Sequence, residues 1–329
     1  MNEIKITPEE LAKSAGQFRK ELLQVPVRKL GAALRYFTVR AGLRESETVG
    51  ELSGNVELHP YSEDDVDSDD VTVAGRKLEL YKCNVVKQFS PNSVLSSIYG
   101  SNIIQGDGLK NVPITVQILA MIMAKIGAGI GLHLFDAKYD ATGKTTSTCF
   151  QGIDTITAAD IASGLIAEDK GNLFNFSEAI TRDNAVDQLL EYVRSASDVL
   201  IGFEDGDVDP TPGSGLNLIL PRAVYNAYID DYKQTTGHSP IYDKFNQLTL
   251  EGFSNVRLVP LAGKANSEFL QLTTKSNLLF GCNALSDVTN IDVIRSGHYK
   301  VSAAATMLLG TNYESVAAER LHVGKIEKS

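Results

Sequence analysis

The chain has 329 residues, enough to bury a sizeable core in one large domain or two. Its 43% hydrophobic and 22% charged residues are ordinary for a globular protein. A formal net charge of −10 excludes a molecule built throughout as a sleeve for nucleic acid.

Residues 1 to about 44 read as an arm. Thr7-Pro8-Glu9-Glu10 is a helix start, with Thr7 as N-cap, Pro8 in the first turn and Glu10 closing a capping box. Leu11, Ala15, Phe18 and Leu22 line one face, and Pro26 stops the helix. Nine basic residues here, among them Arg19, Lys20, Arg28, Lys29 and Arg35, face only four acidic ones. A solvated helix face accounts for such a run. An arm that meets an anionic neighbour or packaged nucleic acid is the functional alternative.

From about Glu47 to Phe89 the pattern alternates, and GELSGNVELHPY and VTVAGRKLELYKCNVV read as two strands. Between them lie Glu63, Asp64, Asp65, Asp67, Asp69 and Asp70 with no basic residue, the acidic tip of a long hairpin. The tip is not a calcium loop, because Asp70 stands where the EF-hand needs Gly and Arg76 where it needs Glu. A two-stranded ribbon is marginal alone, so this one is expected to lie on a neighbouring subunit.

The run from Asn111 to Phe135 reads as one long buried helix, clasped by the rest of the fold. Pro113 suits its first turn, and Gly127, Gly129 and Gly131 are expected to weaken and end it. Lys125 and Gln117 argue against a membrane span. The glycines read G-x-G-x-G after a helix, not the dinucleotide fingerprint after a strand. Gly143-Lys144-Thr145 lacks the first Gly of a phosphate loop, since position 138 is Lys.

A short helix is expected to start at Thr157, and another spans about Thr181 to Ser195 with Val186, Leu189, Leu190 and Val193 inward. VLIGFEDGD, from Val199, reads as a strand leading to a second acidic loop. LNLILP reads as a buried strand, and Pro221 opens a helix with Val224, Tyr225, Tyr228, Ile229 and Tyr232 inward. VRLVPL, FLQLTTKSNLLFG, TNIDVI and YKVSAAATMLLG read as strands, which makes the second half α+β.

No catalytic, cofactor or metal site is visible. The five histidines show no H-E-x-x-H spacing, and Gly213-Ser214-Gly215 is not a nucleophile elbow. Cys83, Cys149 and Cys282 give neither a disulfide framework nor a CxxC pair, so three small hydrophobes in a reducing compartment are expected. With no apolar signal run at the N-terminus, the expected location is cytoplasmic.

The order of parts, a basic arm, a long hairpin, a long central helix and an α+β domain whose last strands return toward that helix, resembles the major capsid proteins of tailed bacteriophages, with the Hong Kong 97 phage fold. LNLILPRAVYNAYIDDYKQ is similar to the family's strand, Pro, helix passage. GFSNVRLVPLAGKANSEFLQLTTKSNLLFGCNALSD resembles its following segment, and DVIRSGHYKVSAAATMLLGTNYESVAAERLHV its closing strands. The resemblance implies an N-arm over 1–45 and an extended hairpin loop over 46–92. It also implies a peripheral domain over 93–198 and 286–329 with a long spine helix, and an axial domain over 199–285. It implies self-assembly into hexamers and pentamers of an icosahedral shell around double-stranded DNA, in the host cytoplasm, with a scaffolding protein and a portal as partners. No enzymatic activity, cofactor or membrane is implied. The six tip acids and Arg19, Lys20, Arg28, Lys29 and Arg35 are the expected inter-subunit contacts. An encapsulin-type compartment shares the fold with protein cargo. A tail or adaptor ring, or an enzyme whose site assembles only in space, are the alternatives from other classes.

Overall fold

A computed structural model describes residues 31–53, 72–89, 114–202, 215–240, 242, 248–283, 291–295 and 300–326. The helical part of the arm, the hairpin tip and the acidic loop after Val199 lie outside the described residues.

The described chain begins with a short helix, α1 (Gly31–Leu34), and strand β1 (Thr38–Ala41). β2 (Glu47–Ser53) and β3 (Thr72–Leu78) form a two-stranded antiparallel ribbon, with Glu47 opposite Leu78 and Ser53 opposite Thr72. The stretch read as one returning strand is two. It breaks at Glu79-Leu80, and β4 (Tyr81–Phe89) leaves the ribbon to pair with a distant strand. The break is where Gly310 passes, so close that a Cβ there would overlap the Glu79 carbonyl oxygen.

The spine helix, α2 (Ile114–Leu132), runs through all three glycines instead of stopping at them. Its last turn is closely approached by another part of the chain. The turn Ala262–Lys264 crosses so near that a Cβ on Gly263 would stand 2.9 Å from the Gly131 carbonyl oxygen, and Gly129 faces Thr146. The helix is not clasped all round: Ile126 and Ile130 pack into the core, whereas Lys125 and Leu132 are exposed. Among the described residues no helix is long and apolar enough to cross a membrane.

The next helix, α3 (Ile153–Ala162), starts a turn before Thr157. Gly152 is its N-cap, and Ile153, fully buried, anchors its first turn. Thr157 instead donates its hydroxyl to the Ile153 carbonyl. β5 (Leu173–Asn175) and α4 (Ala185–Arg194) follow. The strand expected from Val199 is a short helix, α5 (Asp198–Ile201). Leu200 is buried here while Val199 points out, and Asn255 binds the Ile201 carbonyl at the helix end.

β6 (Leu216–Leu220) leads through Pro221 into α6 (Arg222–Thr236), which ends at Gly237 in the left-handed conformation. β7 (Thr249–Leu250), β8 (Phe253–Pro260), β9 (Phe269–Thr274), β10 (Leu278–Cys282), β11 (Ile291–Arg295), β12 (Val301–Tyr313) and β13 (Leu321–Lys325) complete the order. FLQLTTKSNLLFG is therefore two strands, β9 and β10, which part at the turn around Asn277 into different sheets.

One sheet runs β1-β10-β12-β11, with β4 also on β12. The other runs β5-β13-β9-β6-β8-β7. The second is buried on both faces. Leu216, Leu218 and Leu220 point to one core with α4 and α6, while Ile219, Val259 and Val323 point to a second core beneath α2 and α3. That double burial explains the unbroken apolar text of LNLIL, since both alternating faces meet side chains rather than water.

Candidate assembly surface

An open groove of about 1100 Å³ lies between the spine helix, strands β4 and β12, and the loop around Thr146. Its floor is apolar: Met121, Ile122, Ile126, Ala305 and Met307 line it. Its rim carries the exposed lysines Lys87, Lys125 and Lys144. The apolar spine helix produces this shape, sending Ile126 and Ile130 into the core and leaving Met121 and Ile122 beside β4. Val86 in the groove, and Leu132, Val199 and Ile294 elsewhere, add exposed apolar side chains, each more than half accessible.

Two buried polar hubs hold the surface in place. Arg76, on β3, points Nη2 to Asp160 Oδ2 at 2.7 Å and to Asn312 Oδ1 at 3.1 Å. Asn312 also donates to the Lys77 carbonyl. The ribbon base is thus fastened to both α3 and β12. In the second hub Lys264 is wholly buried, 2.8 Å from Asp154 Oδ1, which also accepts from Gln271 at 2.8 Å. The ammonium sits 4.8 Å above the Phe135 ring. Burial pushes the Lys264 pKa down, and Asp154 opposes that shift. A buried ammonium is tolerated because its charge is paired. Asp231, on α6, is buried and caps α4 by accepting from the Val186 amide at 2.7 Å. These groups were not singled out in sequence, since each partner lies at least 45 residues away.

Of the expected contact residues only Arg35 falls among the described ones, and it is exposed after α1. Arg19, Lys20, Arg28, Lys29, Glu63, Asp64, Asp65, Asp67, Asp69 and Asp70 lie outside them.

The structure offers little to the enzyme alternative among the described residues. No cluster of three metal-ligating side chains occurs there. Ser195 does meet His322, with Oγ 3.0 Å from Nε2. His322 is buried, stacked on Tyr192, and its Nδ1 faces the Gly171 carbonyl. Burial pushes its pKa down to about 4, which keeps it neutral near pH 7. Cys83 and Cys282 are buried as expected; Cys149 is only half-buried.

No protein-family model and no curated protein matches this sequence. Solved structures do. A chain of the satellite phage P4 procapsid is 10% identical with a TM-score of 0.57, covering 94% of this chain and 98% of that one. The capsid of an empty GTA particle matches at 9% identity and a TM-score of 0.56, covering 91% and 90%. The capsid of Myoviridae phage XM1 matches at 10% identity and 0.52, covering 90% and 91%. The chain therefore has the α+β fold of phage capsid proteins, the Hong Kong 97-like fold.

Proposed function

We propose that this chain is a major capsid protein that assembles into the hexamers and pentamers of an icosahedral phage head enclosing double-stranded DNA. The observation that carries the reading is a capsid fold shared over 90% or more of this chain and of each chain compared. In this reading residues 1–45 are the arm and 46–92 the extended hairpin loop. Residues 93–198 and 286–329 are the peripheral domain, and 199–285 the axial domain.

The surface chemistry supports it. A shell subunit keeps apolar and charged patches open for heterologous contacts that close into rings. The acidic tip, Glu63 to Asp70, seeks a basic neighbour, which the arm residues Arg19, Lys20, Arg28, Lys29 and Arg35 supply. Each exposed pair contributes about 0–1 kcal/mol, and a shell repeats it many times. Cationic residues on the inner face neutralise DNA phosphates without reading sequence. A scaffolding protein and a portal act during assembly in the host cytoplasm, and the product is the virion capsid. No catalysis or cofactor belongs to this role.

Negative-stain electron microscopy of particles from producing cells, after nuclease treatment, tests the reading. Closed shells with protected double-stranded DNA are expected. Shells filled with protein replace it by a nanocompartment, and single open rings by a tail or adaptor protein. A monomer with no particle, from cells that also make the scaffolding protein, overturns it.

A further inference from the structure

Cys83 and Cys149 lie 66 positions apart in sequence and meet on the wall of the groove. The Cys83 thiol, on β4, donates to the Cys149 carbonyl oxygen at 3.3 Å. The same thiol lies 3.5 Å from the Tyr81 carbonyl oxygen. Cys149 caps the turn Thr146–Thr148, and its thiol points to the Thr145 carbonyl at 3.4 Å. Strand β4 is held by nine-residue pairing with β12, so the side chains converge from two fixed supports. Two cysteines held next to each other on fixed supports meet the first condition for a disulfide, closeness of the two residues.

We propose that Cys83 and Cys149 form a redox pair that a low-molecular-weight disulfide converts into an intramolecular disulfide, tying β4 covalently to the turn that follows the spine helix. Cys149 reacts first, being the more exposed and lining the open groove. Its thiolate attacks one sulfur of the small disulfide and expels the other half as a thiolate. Cys83 then gives up its proton to solvent and attacks Cys149 Sγ, expelling the remaining half as a second thiolate. Two protein thiols are oxidised, and one small disulfide is reduced to two thiols. The second step is the slow one. Burial, reinforced by the adjacent Cys149, pushes the Cys83 thiol up to about 12. The link closes one wall of the groove and does not depend on the capsid reading.

The test uses the folded full-length chain. It is incubated with oxidised glutathione at mildly alkaline pH, its free thiols are alkylated, and it is digested without reduction for mass spectrometry. The expected product is a Cys83–Cys149 peptide pair, lighter by two hydrogens, in a chain that stays monomeric on a non-reducing gel. Cys282, 1% exposed, is expected to be alkylated only after unfolding. Cys83→Ser is expected to stop at a glutathione adduct on Cys149. A lasting glutathione adduct on Cys149 in the unsubstituted chain overturns the proposal. So do covalent dimers through either thiol, or two free thiols after prolonged exposure.

Discussion

Arg76 Nη2 lies 2.7 Å from Asp160 Oδ2, and this contact joins the two-stranded ribbon to α3. Both side chains are mostly shielded, at 17% and 11% exposed. Removing one partner strands the other charge away from water, which costs more than the pair contributes. Asp160→Ala is expected to destabilise the protein by about 2–3 kcal/mol in chemical denaturation. Faster hydrogen exchange at β3 is expected with it. Unchanged exchange there would mean that the ribbon base is held by β12 alone.

The Lys264–Asp154–Gln271 hub makes a different prediction. Lys264→Met leaves Asp154 charged and short of a partner, and is expected to cost about 3–5 kcal/mol. Lys264→Met with Asp154→Leu removes both charges and is expected to recover most of that loss. A double variant no more stable than the single one would refute the pairing argument.

Acid is expected to weaken the protein through His322. A histidine in the unfolded chain titrates near 6.5, and burial pushes this one down to about 4. Between those values the unfolded chain binds a proton that the folded chain refuses. The contribution is fully present above about pH 6.5 and is lost as the pH falls to about 4. The loss is on the order of 3 kcal/mol. Denaturation midpoints across that range are expected to fall, and His322→Gln is expected to flatten the slope. A variant with the same slope would place the acid sensitivity elsewhere.

Assembly is expected to depend on the hairpin tip. Replacing Glu63, Asp64, Asp65, Asp67, Asp69 and Asp70 by Ser and Asn removes six negative charges from one loop. Particle yield is expected to drop, most at low salt where screening is weak, while the circular dichroism of the free subunit stays the same. Equal yield for variant and parent would remove the tip from the contact surface.

Period and turn chemistry carried much of the fold. The 3.6-residue pattern gave α4 its inner residues Leu189 and Val193, and Pro221 marked the start of α6. The unbroken LNLIL run foretold a buried strand. These signals are local, because a helix face or a strand face is written within a few turns of chain. The spine helix ran past its glycines, and its end meets the turn Ala262–Lys264, where Gly263 lies against the Gly131 carbonyl oxygen from elsewhere in the chain. Val199 to Ile201 form part of a helix instead of a strand, with Leu200 in the core around α4.

The sequence by itself determined the α+β class and the place of elements such as α4, α6 and β6, since hydrophobic periodicity needs no distant partner. Only the tertiary structure decided that β4 leaves the ribbon for β12, and that the strand pair around Asn277 divides between two sheets. It alone placed Asp154, Asp160 and Asp231 inside. A buried charge is stable only where an opposite charge or a donor meets it, and Lys264, Arg76 and the Val186 amide arrive from remote positions. Such pairings are properties of the closed fold, which is why no local pattern announces them.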